Sequence, residues 1–220
     1  MTIHLLPGIG GTSDLFLDYQ FPFPVRRLDF IRPPSLDTSF ADYARLMAFH
    51  HRIEAGDTVV GMSLGGLLAC EISKQVSLSK LILVSSGTQR HHIAASLRSL
   101  AFAAPFVPFQ FMQSVIPPTG LLGPVRRRAL EMFKASDPNF INWGCIHAPT
   151  WSGLDHHPDL TQIHGTWDPV FPYALQRHKI HHPISRGGHI AIMRQYQPIN
   201  DLLIDLLSPL FSVSNKVAVL

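Results

Sequence analysis

Thr58-Val59-Val60-Gly61-Met62-Ser63-Leu64-Gly65-Gly66 decides the fold. Thr58 to Val60 reads as a short buried strand, and the residues from about Leu64 to Gln75 read as a helix. A Gly-x-Ser-x-Gly pattern joins the two and sets Ser63 on a sharp turn, where a residue with a Cβ is strained. Gly61 and Gly65 remove side chains that would collide as strand and helix approach, and Gly66 extends the close contact. Such a turn presents the Ser63 hydroxyl above the carboxyl edge of a sheet, where open α/β folds place their sites. The helix that follows offers unpaired N–H groups and the positive end of its dipole. Five residues alone recur by chance, so the weight of the reading lies in the rest of the chain.

Outward from this turn, short apolar runs alternate with helical ones. Thr2 to Leu6 is a strand stopped by Pro7-Gly8. Val25 to Phe30 is a second, ended by Arg32-Pro33-Pro34. Phe40, Ala44 and Met47 recur at helical spacing within Ser39–Arg52, with Asp37 or Thr38 available as a cap and Gly56 closing the segment. Lys80 to Ser85, with Leu-Ile-Leu-Val at its centre, reads as a strand buried on both faces. Leu160 to Gly165 is a later strand, Pro183 to Ser185 a short candidate, and Asp201 to Leu207 lies in a closing amphipathic helix. Ser212 to Leu220 carries no assignment. The alternation predicts βαβ units and a mostly parallel sheet between two helical layers, a three-layer α/β/α sandwich. Gln89 to Leu154 interrupts it with a stretch rich in proline and phenylalanine, which reads as helices inserted between two core strands. No linker divides the 220 residues, so 1–220 is one domain.

Hydrophobic residues make up 46% and charged residues 15%, enough apolar material for a large core. The net charge is +3. The densest basic runs, Arg26-Arg27 and Arg126-Arg127-Arg128, are not interleaved with stacking aromatics, which argues against nucleic-acid binding. Arg126 to Arg128 with Glu131 read as a solvated helix face. Cys70 and Cys145, isolated and without metal-type spacing, read as buried free thiols of a reducing compartment. Met1 to Pro7 reads as a strand, not as a signal peptide. No run of about 18 apolar residues predicts a membrane span, and the cytoplasm is the expected location. The pairs His91-His92, His156-His157 and His181-His182 do not suit a metal, because adjacent side chains do not converge.

A serine hydroxyl needs a base to take its proton, and the base needs an orienting carboxylate. Asp168 stands in Gly165-Thr166-Trp167-Asp168-Pro169, past the carboxyl end of a strand; Asp155 and Asp159 compete with it but precede that strand. His189 stands in Gly187-Gly188-His189, where glycines let the backbone turn the imidazole towards Ser63. The chain order is therefore Ser63, Asp168, His189. Pro7-Gly8-Ile9-Gly10-Gly11 follows the first strand directly. The backbone N–H groups of Ile9 and of Leu64 are the expected donors to an oxyanion, worth about 3 kcal/mol each. A phosphate-cradling role for this loop lacks the full glycine pattern and the following Lys-Ser/Thr.

Together Pro7–Gly11, Gly61–Gly66, Gly165–Asp168 and Gly187–His189 resemble the α/β-hydrolase superfamily over nearly the whole chain. The resemblance implies no cofactor, and a helical cap at about 89–154, where the insertion stands. Two departures matter. Pro7 replaces the histidine that many members carry in the first loop, and the usual opening antiparallel pair is absent, so a sheet of about six strands is expected. Phe102, Phe106, Phe109 and Trp143 are candidate walls of an apolar pocket. The expected activity is hydrolysis of a small carboxylic ester or thioester with a hydrophobic moiety. Carbon–carbon bond hydrolysis or perhydrolysis with the same triad, and non-catalytic ligand binding, are the alternatives.

Overall fold

The computed structural model describes residues 1–116 and 122–217, and the side chains of all of these except 100–102 and 212–217. Strands β1 (Ile3–Leu6), β2 (Val25–Arg27), β3 (Thr58–Met62), β4 (Lys80–Val84), β5 (Leu160–Gly165) and β6 (His182–Ile184) form one sheet, in the order β2-β1-β3-β4-β5-β6. Every neighbouring pair is parallel. Helices α1 (Phe40–His51) and α2 (Leu64–Ser73) cover one face, and the short α7 (Ala191–Arg194) with the closing helix α8 (Tyr196–Val217) covers the other.

The two-residue period of a strand sends neighbouring side chains to opposite faces. Val59, Leu81 and Leu83 therefore pack with Tyr43, Met47, Leu67, Leu68 and Ile72. Val60, Met62, Ile82 and Val84 pack with Ile199, Leu203 and Leu207. Both faces are buried, which is why β3 and β4 are nearly apolar at every position. Each such leucine or isoleucine contributes about 1.5–3 kcal/mol by leaving water.

The strand order reverses at β1, with β2 on one side and β3 on the other. Leu6 is level with Gly61 in the register. The loop after β1 and the turn after β3 thus emerge side by side at the carboxyl edge, the point where an open α/β sheet leaves a crevice.

Several boundaries differ from expectation. Ser39 caps α1, its hydroxyl accepting from Asp42 N at 3.1 Å, in place of Asp37 or Thr38. The edge strand β2 stops at Arg27 because the chain leaves the sheet: Asp29 accepts from Ser13, and Phe30 stacks on Phe140 with ring centres 4.0 Å apart. Helix α8 begins five residues before Asp201 and continues into the tail that the sequence left unassigned.

Between β4 and β5 the chain forms α3 (Ala95–Leu100), α4 (Phe109–Ser114), α5 (Pro124–Ala135) and α6 (Pro138–His147), with no strand among the described residues. Leu154 N donates to Thr88 O at 2.7 Å, and Gln89 Nε2 donates to Leu154 O at 3.0 Å. These bonds clasp the two ends of the insertion, so it leaves and rejoins the sheet at one place. Among the described residues no helix is long and apolar enough to cross a membrane.

Candidate active site

Ser63 joins β3 to α2 at φ 52°, ψ −120°, a conformation that costs a residue with a Cβ about 1–3 kcal/mol. Its surroundings hold it there. Ser63 N donates to Val84 O at 3.1 Å, and Ser86 Oγ donates to Ser63 O at 2.7 Å. A Cβ on Gly65 would lie 2.1 Å from the Pro7 carbonyl oxygen, so only glycine lets α2 close onto the first loop.

Asp168 follows β5 and is buried. Its Oδ1 accepts from Val170 N at 2.8 Å and Phe171 N at 2.9 Å. Its Oδ2 lies 2.9 Å from His189 Nδ1, and His189 Nε2 lies 3.0 Å from Ser63 Oγ. A carboxylate only accepts, so Nδ1 carries the ring proton and Nε2 is left as the acceptor for the Ser63 hydroxyl. The Asp168 and His189 loops are packed against each other: Trp167 N donates to Gly187 O at 2.9 Å, and a Cβ on Gly165 would come 2.2 Å from that oxygen. The Phe171 ring stacks on the imidazole, centroids 5.9 Å apart. Burial pushes the Asp168 carboxyl up. The hydrogen bond and charge of His189, the Phe171 N–H and nearby His164 outweigh it and hold the group below the usual carboxylate value.

The three residues named from the sequence are thus in one hydrogen-bonded row. The rival acids are not: Asp159 pairs with Lys80 at 2.7 Å, at the start of β4 and β5, and Asp155 accepts from Gln89. The N–H groups of Ile9 and Leu64 have no backbone acceptor among the described residues. The first loop reaches the nucleophile, since a Cβ on Gly8 would lie 3.2 Å from Ser63 Cβ.

Ser63 and His189 open into a cavity of about 550 Å³. The first loop, the inserted helices and the loops after β5 and β6 enclose it, with Met62, Leu67, Leu97, Met132, Phe133 and Phe171 among its walls. Among the described residues, no Lys, Arg, Asp or Glu belongs to the lining. Phe109 lines the cavity. Phe106 does not; it is 85% exposed to solvent. Trp143 is a correction too. It is fully buried between Phe40 and Tyr43, at 5.4 and 4.2 Å, and donates from Nε1 to Thr38 O at 2.7 Å. A helix turns about 100° per residue, so α6 aims Trp143 at the core and gives Gly144 and Cys145 to the cavity. The side chain of Phe102 lies outside the described residues.

Sequence reasoning missed the wall that α5 supplies. Its arginine face was visible, and Arg128 does pair with Asp18 at the surface. Ala129, Met132 and Phe133 form the opposite, cavity face at three- and four-residue spacing. Cys145, expected to be buried, is half-buried in the cavity wall, and burial pushes its thiol up to about 11. His92, His157 and His181 each accept a backbone N–H at Nδ1, from Thr88, Asp159 and Gln162. These bonds give one ring of each histidine pair a structural role.

No family model matches the chain, and no curated protein does. Solved structures do. A hydrolase from Pseudomonas aeruginosa is 16% identical, with 94% of this chain and 89% of that one covered at a TM-score of 0.69. A thermophilic esterase from Thermogutta terrifontis is 15% identical, covering 96% and 90%, at 0.64. A meta-cleavage product hydrolase from Pseudomonas fluorescens is 16% identical, covering 95% and 91%, at 0.66. The fold is that of the α/β-hydrolases, and at these identities the likeness is one of fold.

Proposed function

We propose that this chain, with its α/β-hydrolase fold, is a serine hydrolase that cleaves small carboxylic esters or thioesters bearing a hydrophobic, uncharged acyl or alcohol part. The observation that carries the proposal is the unbroken row Asp168–His189–Ser63 opening into an apolar cavity. Ser63 Oγ attacks the acyl carbon as His189 Nε2 takes its proton, and Asp168 stabilises the imidazolium that forms. Negative charge moves to the former carbonyl oxygen, which accepts from the N–H groups of Ile9 and Leu64. His189 then gives the proton to the leaving oxygen or sulfur, and an acyl-Ser63 remains. A water deprotonated by His189 hydrolyses that ester and frees Ser63. No step needs a cofactor or metal.

The lining favours esters over the alternative chemistries. A substrate with a free carboxylate would enter a wall without a cation, which costs several kcal/mol for an unpaired charge. Carbon–carbon cleavage needs further groups to stabilise a carbon leaving group, and among the described residues of the lining His189 is the one imidazole, with no charged side chain beside it. A non-catalytic binder has no use for a serine held in a strained turn beneath a histidine.

A series of p-nitrophenyl esters and acyl thioesters tests the reading. Turnover by the wild type that rises with acyl length and is absent in Ser63→Ala supports it. Equal turnover in Ser63→Ala, or none by the wild type on any member, overturns it.

A further inference from the structure

His164 sits on β5, fully buried, four residues before Asp168. Its Nε2 lies 2.7 Å from the Phe171 carbonyl oxygen and 3.6 Å from Asp168 Oδ2. A carbonyl only accepts, so Nε2 carries the proton and donates to Phe171 O. The ring is neutral: burial pushes its pKa down, more than the Phe171 bond and the Asp168 charge push it up. Its Nδ1 has no partner among the described residues. Leaving a buried acceptor unpaired costs about 1–3 kcal/mol, a loss that a leucine or valine at this place in the strand would avoid.

Phe171 is the point that this N–H holds. The same residue gives its N–H to Asp168 Oδ1 and lays its ring on His189. One bond from His164 therefore fixes the turn that orients the acid and the plate that orients the base. The Nε2–H dipole also lies beside Oδ2, the oxygen that His189 uses. Gln176 Nε2 lies 3.5 Å from His164 Nε2 but donates to Ser86 O at the shorter 3.1 Å, and Gln176 Oε1 accepts from Gln162. Among the described residues, His164 is the one side chain that bonds the Phe171 carbonyl.

Resting on the hydrolase reading above, we propose that His164 is a positioning residue of the site. Through the Phe171 carbonyl it sets the Asp168 carboxylate and the His189 ring in the geometry that lets His189 accept the Ser63 proton. It touches neither substrate nor reacting atoms.

The test compares His164→Gln, His164→Asn and His164→Leu in the full chain. The Gln amide nitrogen falls where the imidazole Nε2 stood, the Asn nitrogen falls where Nδ1 stood, and Leu offers no donor. Two readouts are taken: ester kinetics, and the downfield proton NMR signal of the His189 Nδ1–H. His164→Leu and His164→Asn are expected to lose about tenfold to a hundredfold in kcat, with KM within about twofold of wild type. Both should broaden or shift the Nδ1–H signal, and His164→Gln should restore both readouts. A packing role alone would let Leu do as well as Gln. Equal behaviour of Gln and Asn overturns the proposal, as does an unshifted His189 signal in Asn. The Gln–Asn comparison stands even if the Leu variant does not fold. If the wild type turns over no ester, the hydrolase reading falls, and the NMR signal still decides the role of His164.

Discussion

His189 Nε2 stands 3.0 Å from Ser63 Oγ although the two residues are 126 positions apart in the chain. Two different loops at one edge of a parallel sheet bring them together, one after β3 and one after β6. Neither loop has a reason to meet the other except through the register of the strands between them.

If Asp168 is the orienting acid of the proposed mechanism, it should matter through the tautomer it selects. Asp168→Asn keeps the size of the side chain but presents an amide where His189 Nδ1–H needs an acceptor. We expect an unchanged fold by circular dichroism and a loss of about 10⁴ in kcat. Asp155→Asn and Asp159→Asn should leave kcat as it is. A large loss in either of those, with activity retained in Asp168→Asn, would reassign the acid.

On the proposed function, the cavity sets the substrate range. Each methylene moved from water into an apolar wall is worth about 0.8 kcal/mol, or about fourfold in kcat/KM. Activity should climb at about that step with acyl length and then stop when the cavity is full. Ala129→Phe places a ring on the cavity face of α5 and should move the optimum to shorter chains. Phe106→Ala should change nothing, because that ring faces solvent. A flat chain-length profile would contradict the cavity as the acyl site.

Close approach at Gly65 gives a stability prediction. An added Cβ meets the backbone oxygen of Pro7, which cannot swing away as a side chain could. Gly65→Ala should lower the unfolding free energy by about 3 kcal/mol in urea. Gly123→Ala, with nothing within 4 Å of the new atom, should stay within about 0.5 kcal/mol of wild type. Equal midpoints for the two variants would contradict the packing described here.

Acid should unfold the protein through its buried histidines. Burial, with the charges of neighbouring His91 and Lys179, lowers His92 from 6.5 to about 4. His4 is also lowered, burial outweighing the Asp57 bond. Below pH 6.5 the unfolded chain takes up protons that the folded chain refuses until near pH 4. Stability is therefore full above 6.5 and falls between those limits, by about 1.4 kcal/mol per pH unit for His92. Asp168, held low in the folded state, adds its loss only below the ordinary carboxylate range. Urea titrations at pH 7.5 and pH 5 should differ by about 2 kcal/mol from His92 alone, and His92→Gln should remove that part. A wild-type stability that does not change with pH would contradict the account.

Much of the fold could be read from the sequence because its signals are local. Val59-Val60 and Leu81-Ile82-Leu83-Val84 carry their two-sided burial in their composition, and Gly61, Ser63 and Gly65 carry the turn. Asp168 and His189 stand out in the sequence because glycine turns after apolar runs are local too. The pocket was less legible. Whether Phe106, Phe109 or Trp143 faces the cavity depends on the rotation of short helices, which tertiary packing sets. Trp143 is drawn into the core by Phe40 and Tyr43, residues about a hundred positions away. His164 gave no signal at all: a histidine inside an apolar strand looks like any buried polar residue until the Phe171 carbonyl is seen beside it.

Reaction with a fluorophosphonate tests the central claim most directly, because it needs a serine activated by its own base and no knowledge of the substrate. Intact mass measurement should show one adduct per chain, and peptide mapping should place it on Ser63. Ser63→Ala should show none, and His189→Ala should label far more slowly. An adduct on a different residue, or full labelling of Ser63→Ala, would contradict the account.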